Sequence, residues 1–209
     1  MKGRLLVALW VALLLVTGCD NFNLPYEENF DDAGSWGVEE EGLEAAGTVE
    51  DGVYRFLVNA DLGLFWSTAG EHFADGIYEV EAVQLEGPLD NGYGMLFRVG
   101  ENLESFYIFE VSGDGFVWIG RCDDTCTEET PLVQDGWFEH EAVNEGIGEA
   151  NVLRVRAEAG NMIFYVNDVE VGRVTDNALQ EGDIGIMVET LGQGGVLVAF
   201  DNFTVLPLE

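Results

Sequence analysis

Lysine is almost missing from this chain of 209 residues; the one lysine is Lys2. Lys and Arg together number 8 against 40 Asp and Glu, which gives a formal charge of −32. Such a chain has no basic patch with which to displace counterions from phosphates, so nucleic acid is excluded as a partner. An anionic membrane surface would repel it as well. Histidine is scarce too, with only His72 and His140. There is no Ser-His-Asp order, no phosphate-cradling glycine loop and no zinc motif. No convincing helical period, internal repeat or low-complexity segment runs through the chain, which argues against helical and solenoid architectures.

What is present begins with an address. Lys2 and Arg4 form a basic start, and 5–16 is an apolar run of 12 residues, too short for a transmembrane helix. It ends in Val16-Thr17-Gly18-Cys19. Small residues directly before a cysteine resemble a bacterial lipobox. The resemblance implies cleavage before Cys19 and lipid on its sulfur; an ordinary secretory signal with a chance cysteine is the alternative. Acyl chains on one residue make a durable membrane anchor, since each buried methylene adds about 0.8 kcal/mol. Asp20 resembles the inner-membrane retention signal of some diderm lipoproteins. The expected organisation is therefore a signal peptide at 1–18, a lipidated tether at 19–27 and one domain at 28–209, facing outside the cytoplasm at a bacterial cell envelope. Losing Lys2 and Arg4, and no acidic residue, takes the formal charge from −32 to −34. That surface suits a salty or mildly acidic medium or the binding of cations, or it simply follows the habit of an exported proteome.

About 190 mature residues suit a single domain, and about 70% of the unfolded surface can be buried at that size. Of three cysteines, Cys19 is the anchor. Cys122 and Cys126 lie in Arg-Cys-Asp-Asp-Thr-Cys. In an oxidising compartment they read as a disulfide; a metal site would need further Cys or His close by.

Gly76–Arg121 carries the plainest pattern. Four runs of alternating residues are separated by Pro-Leu-Asp-Asn-Gly, Gly-Glu-Asn and Gly-Asp-Gly, which are hairpin signals. The expectation is a four-stranded antiparallel meander. Centring the turns pairs Glu79 with Arg98, Leu96 with Tyr107, and Phe109 with Trp118. Because opposed residues share a face, one face then carries Val80, Ala82, Met95, Phe97, Val99, Phe106, Ile108, Val117 and Ile119 as core. The other carries Glu79, Glu81, Leu96, Arg98, Tyr107, Phe109 and Trp118. A slip of one residue would invert a strand. Before the meander, 53–58 and 64–67 read as strands, and 33–51 as an acidic, glycine-rich stretch anchored by Trp36. After it come a loop at 127–135 and an irregular stretch at 136–150. Strands follow at 152–157, 162–167, 169–174, 184–189 and 196–205, with Asn167-Asp168 as a turn. Roughly a dozen short strands punctuated by Gly, Asp and Asn argue for a β-sandwich or jelly roll.

Asn151-Val-Leu-Arg-Val-Arg, Gly160-Asn-Met-Ile-Phe-Tyr-Val-Asn-Asp-Val-Glu-Val, Gly182-Asp-Ile-Gly-Ile-Met-Val-Glu-Thr and Phe200-Asp-Asn-Phe-Thr-Val resemble the closing half of a concanavalin A-like jelly roll. The pattern is similar to laminin-G-like modules and to keto-disaccharide hydrolase-type domains of bacterial exported proteins. Tyr93-Gly-Met-Leu-Phe-Arg98 and Ser105-Phe-Tyr-Ile-Phe109 match it as well. The resemblance implies an all-β fold of two curved antiparallel sheets, with ligands on a concave face or at the rim. The fold hosts lectins, hydrolases and adhesion modules alike.

On the predicted register, Trp118, Tyr107 and Phe109 would lie under the C–H faces of a sugar, and Arg98, Glu79 and Glu81 would meet its hydroxyls. The bland alternative is a cross-strand ion pair beside rings that only pack. Glycoside hydrolysis is not the favoured reading. Laminarinase-type jelly rolls carry Glu-x-Asp-x-Glu on one strand, whereas here the nearest text is Glu79-Val-Glu81-Ala-Val83, which lacks the third acid although two carboxylates are the usual requirement. Jelly rolls of this kind often hold a structural Ca²⁺ between the first and last strands, which makes Asp31, Asp32 and Asp201 candidate ligands, or else strand-end turn formers. The expected function is a lipid-anchored module that binds glycan without catalysis. A structural or protein-interaction module of the envelope is the alternative, and a glycoside hydrolase using Glu79 or Glu81 a third. Oligomeric state is not readable from the sequence.

Overall fold

The computed structural model describes residues 24–32, 34, 36–37, 44–123 and 129–208. The signal segment, Cys19 and Cys126 lie outside the described residues. Among the described residues every regular element is a strand: Tyr26–Glu28 (β1), Ala45–Glu50 (β2), Val53–Val58 (β3), Leu62–Thr68 (β4), Gly76–Glu86 (β5), Gly92–Val99 (β6), Phe106–Ser112 (β7), Phe116–Cys122 (β8), Glu129–Pro131 (β9), Phe138–Glu139 (β10), Ala150–Glu158 (β11), Asn161–Val166 (β12), Val169–Thr175 (β13), Asp183–Leu191 (β14) and Val196–Leu206 (β15). They form two antiparallel sheets. The first runs β13-β12-β11-β5-β15-β3-β2, with β1 on β15; the second runs β10-β8-β7-β6-β14-β4, with β9 on β8.

The alternation of the sequence sets how each sheet is wetted. On β5 buried Tyr78, Val80 and Ala82 alternate with half-buried Glu79 and Glu81, the pattern of a sheet with one face in water. Strands β6, β7 and β14 are buried along nearly their whole length, so the second sheet is covered on both faces. Its inner face supplies Tyr93, Met95, Phe97, Tyr107, Phe109, Val117, Ile119, Ile186 and Val188 to the main core. Its outer face holds a second apolar cluster of Leu96, Phe106, Ile108, Trp118 and Met187, against which Leu64, Trp66 and Trp137 pack.

The expected four-stranded meander has three strands. β5 leaves for the first sheet, where it lies between β11 and β15. The segment after it is a crossover rather than a hairpin turn: Gln84 and Asn91 both donate to the Pro88 carbonyl, and Asp114 N donates to Leu89 O. Glu79 therefore opposes Arg154 and Thr204, not Arg98. The two remaining hairpins are each one residue out of the predicted register. Leu96 opposes Ile108, and Phe109 opposes Ile119. The first turn extends to Ser105, whose carbonyl accepts from Gly100 N. The second closes around Gly115 at a φ of 98°, with Gly115 N donating to Ser112 O, a conformation that favours glycine. The slip exchanges the faces of β7, so that Tyr107 and Phe109 point into the core and Phe106 and Ile108 point outward.

Elsewhere the strand expectations match. Asn167 and Asp168, at φ of 51° and 67°, make the two-residue turn between Val166 and Val169, as type I′ geometry requires. Trp36 is buried. Four strands stand where none was expected: β1, which begins within the predicted tether, β2 inside the acidic stretch, β9 in the predicted loop and β10 in the predicted irregular stretch.

Candidate functional site

The six residues expected to share one ligand-binding face occupy three separate places. Glu79 is on the outer face of the first sheet, ion-paired with Arg154, which also pairs with Asp168. Glu81 is on the same face, opposite Val152 and Asp201. Arg98 is fully buried; its guanidinium donates to the carbonyls of Ala159 at 2.9 Å and Leu179 at 3.1 Å and meets Asp75 at 3.2 Å. It fastens the loops at one end of the sandwich. Tyr107 stacks on Phe97 at 5.1 Å in the core, its hydroxyl donating to Asp176, and Phe109 meets Phe164 edge-on at 5.2 Å. Of the six, Trp118 alone stands on the outer face of the second sheet.

That outer face carries the chemistry. Register places on it Glu189 of β14, Gly92 and Gly94 of β6, Glu110 and Ser112 of β7, Trp118 and Gly120 of β8, and Glu129 of β9. The glycines make room for their neighbours. A Cβ on Gly120 would lie 2.2 Å from the Trp118 ring, so the indole lies over that glycine. A Cβ on Gly92 would lie 2.0 Å from Glu110 Oε2 and 3.1 Å from Cη2 of Trp137. The Glu110 carboxyl thus fills a notch left by Gly92, with Trp137 at its edge. Because Gly92 directly opposes Glu189, the two carboxyls are neighbours across the notch. Beside it is a cavity of about 180 Å³ lined by Asp90, Ser112, Asp114, Phe116, Trp137 and Leu191. A larger cavity, about 300 Å³, lies by Tyr54, Phe56, Phe65 and Trp66 without a described acid in its wall.

Burial pushes the Glu110 carboxyl well above the usual carboxylate range, helped by the charges of Glu189 and Glu129. Burial raises Glu189 to about 7, again with Glu129 contributing, and raises Glu129 itself. Glu110 is 1% exposed and its Oε2 has no hydrogen-bond partner. Among the described residues no arginine stands near these acids to reverse the shift: Arg98 meets Asp75, Arg121 binds Asp123 and Asp176, and Arg55, Arg154, Arg156 and Arg173 pair with acids on the first sheet or its turns. A carboxyl placed this way holds its proton more tightly than one in water and, while protonated, can donate a hydrogen bond.

Asp31 accepts from Asn29, Asp32 from Gly34 N and Asp201 from Asn202 N. Among the described residues no group of three or more His, Cys, Asp and Glu gathers as a metal cage. Cys122 is disulfide-bonded; its predicted partner, Cys126, lies outside the described residues.

Glu110, Glu189, Glu129, Gly92 and Trp137 were not singled out by sequence reasoning. A signal for two of them was present. Glu110 in Phe-Tyr-Ile-Phe-Glu-Val-Ser and Glu189 in Ile-Met-Val-Glu-Thr are lone acids inside apolar strands, where a charge needs a reason to be.

No protein-family model matches the chain, and no curated protein is significantly similar to it. Solved structures are similar over most of its length. The carbohydrate-binding module CBM66 from Bacillus subtilis aligns with a TM-score of 0.59 at 16% identity, covering 88% of this chain and 95% of that one. A prokaryotic β-1,3-1,4-glucanase (lichenase) derived from a mouse hindgut metagenome gives 0.62 at 12%, covering 88% and 99%. The Bacillus licheniformis β-glucanase gives 0.61 at 10%, covering 88% and 98%. At these identities the likeness speaks of architecture: the chain is a concanavalin A-like jelly-roll sandwich, as its closing strands implied.

Proposed function

We propose that the protein is a lipid-anchored, extracytoplasmic jelly-roll module that binds carbohydrate without cleaving it, on the outer face of the second sheet. The observation that carries this reading is the Gly92 notch: uncompensated carboxyls, an indole edge and a cavity meet there on the outer face of a sheet. Indoles suit the C–H faces of sugars, and the carboxyls and Ser112 suit their hydroxyls. The carbohydrate-binding and glucanase names of the structural neighbours agree with it. Trp118, flat over Gly120 and nearly buried, is read as the floor, and Trp137 as the wall a sugar would touch. Glu79 and Glu81 lie on the other sheet, and Glu79 is held by Arg154, so no hydrolytic role is proposed for them.

A glycan array read with the wild-type protein, Trp137→Ala and Trp118→Ala is the test. Binding by the wild type and a loss of about tenfold or more in Trp137→Ala, equivalent to about 1.4 kcal/mol, are expected. No signal on any glycan overturns the reading. Intact mass of the membrane-extracted protein tests the anchor: a diacylglyceryl Cys19 at the mature terminus is expected, and a plain Cys19 overturns it. A second reading, a protein-interaction module, draws on Leu62 and Leu191, which oppose one another at the β4 edge and are 74% and 43% exposed. A partner pulled down by the wild type and lost with Leu62→Ser, without sugar affinity, would favour it.

A further inference from the structure

Every arginine among the described residues is ion-paired away from the Gly92 notch. The groups that face the notch are all acids or uncharged. β14 brings Glu189 and β9 brings Glu129, while β6 and β8 bring Gly92, Gly94 and Trp118. Asp90 and Asp114 line the adjoining cavity, Glu145 packs against the turn at Gly115, and Glu139 of β10 opposes Phe116. Within this set Glu110 is the buried side chain with a free oxygen, set in the notch where a Cβ on Gly92 would be.

A ligand seated here removes water from Glu189 as well. With no cation to balance them, two ionised carboxyls under a sugar would lose hydration without compensation. A neutral Glu189 can donate an O–H to a sugar oxygen, and a neutral Glu110 beneath it adds no charge to the covered site. We propose that Glu189 meets the ligand as a neutral acid above a neutral Glu110, so that the site selects uncharged sugars over uronic acids and is filled in mildly acidic medium and emptied in alkaline medium. Glu189, half-buried at the surface of the notch, is the contact residue, and Glu110 beneath it is a positioning residue. This rests on the glycan reading of the same face.

The arrangement makes binding take up protons. Affinity should fall as pH rises, by at most about tenfold per pH unit for each proton taken up. The burial that raises Glu189 to about 7 in the free protein places the start of that fall near neutrality.

The experiment is an array of neutral and uronic-acid oligosaccharides probed at pH 5.5, 7 and 8.5 with the wild type, Glu189→Gln and Glu110→Gln. Wild-type signal on neutral sugars should drop at least tenfold between pH 5.5 and 8.5 and exceed that on the uronic acids. Glu189→Gln, which keeps a donor that cannot ionise, should bind more weakly than wild type at pH 5.5 and lose much of the pH dependence. Glycan binding that is level across this range, or that favours uronic acids, overturns the inference and leaves the glycan reading standing. No binding at any pH overturns both. Infrared titration of the ligand-free protein gives a separate reading: a protonated-carboxyl band persisting near neutrality and weakened in each Gln variant is expected, and its absence from the wild type overturns the inference even where a glycan binds.

Discussion

The two sheets handle charge in opposite ways. On the outer face of the first, Arg154 lies between Glu79 and Asp168, Arg156 pairs with Glu158 and Arg173 with Glu170. Each charge there keeps contact with water, so its partner adds little. The second sheet has Arg98 entirely inside, on backbone carbonyls and Asp75, and Arg121 on Asp123 and Asp176, and among the described residues no cation meets its outer acids. A surface needs only to be wettable, and the first sheet meets that need. The second sheet keeps charge-capable groups where solvation is poor, an arrangement that costs stability and that usually marks a site with work to do.

The comparison can be broken at several points. The largest effect is expected from Arg98→Met. It leaves the carbonyls of Ala159 and Leu179 short of a donor, while that of Ala74 keeps the Tyr78 hydroxyl, and unmet buried acceptors cost about 1–3 kcal/mol each. A loss of about 3–5 kcal/mol in urea unfolding is expected, and a loss below 1 would show that the loops do not depend on it. Gly92→Ala comes next, at about 2–3 kcal/mol, because the new methyl collides with the Glu110 carboxyl. The same substitution at Gly52, on a turn with nothing within 4 Å of a Cβ but a φ of 75°, is strained for another reason and should leave glycan binding unchanged.

The pH dependence follows the carboxyls. Glu110 and Glu189 hold protons more tightly folded than unfolded, so between about pH 4.5 and the folded value, about 7 for Glu189, the native state binds more protons and stability falls as pH rises. Glu110→Gln removes one such group. The variant should match wild type at pH 5 and exceed it in stability at pH 8; an unchanged gap would mean that Glu110 titrates normally. The smallest effect is expected on the first sheet. Arg154→Ala should cost under about 1 kcal/mol and less still in high salt, and a larger loss would erase the contrast between the sheets.

Much of the fold could be read from the sequence because alternation and turn chemistry are local. Asn167-Asp168 fixes its own hairpin, and the strands of the first sheet with one wet face announce themselves. The site was harder to read for two physical reasons. Register in a strand buried on both faces has no polar alternation to pin it, and in Phe106–Ser112 a slip of one residue exchanges one apolar set for another. The segment 87–91 has the composition of a hairpin turn yet carries the chain from one sheet to the other, a choice made by packing between sheets. Together these put Glu79 beside Arg98 on paper and moved Glu110 off its face. Trp118 kept its place because β8 retained its predicted alternation.

β1 has a mechanical meaning. Tyr26, Glu27 and Glu28 are zipped to Val205, Thr204 and Phe203 on the last strand, so the folded body begins seven residues after Cys19. At about 3.3–3.6 Å per residue, a lipid on Cys19 would be tied to the sandwich by a leash of roughly 25 Å at full stretch. A body on so short a leash could not search far from such a bilayer. It would sample only what the envelope brings to within a molecular diameter of the lipid, and its many carboxylates would hold it off anionic headgroups rather than let it lie down on them.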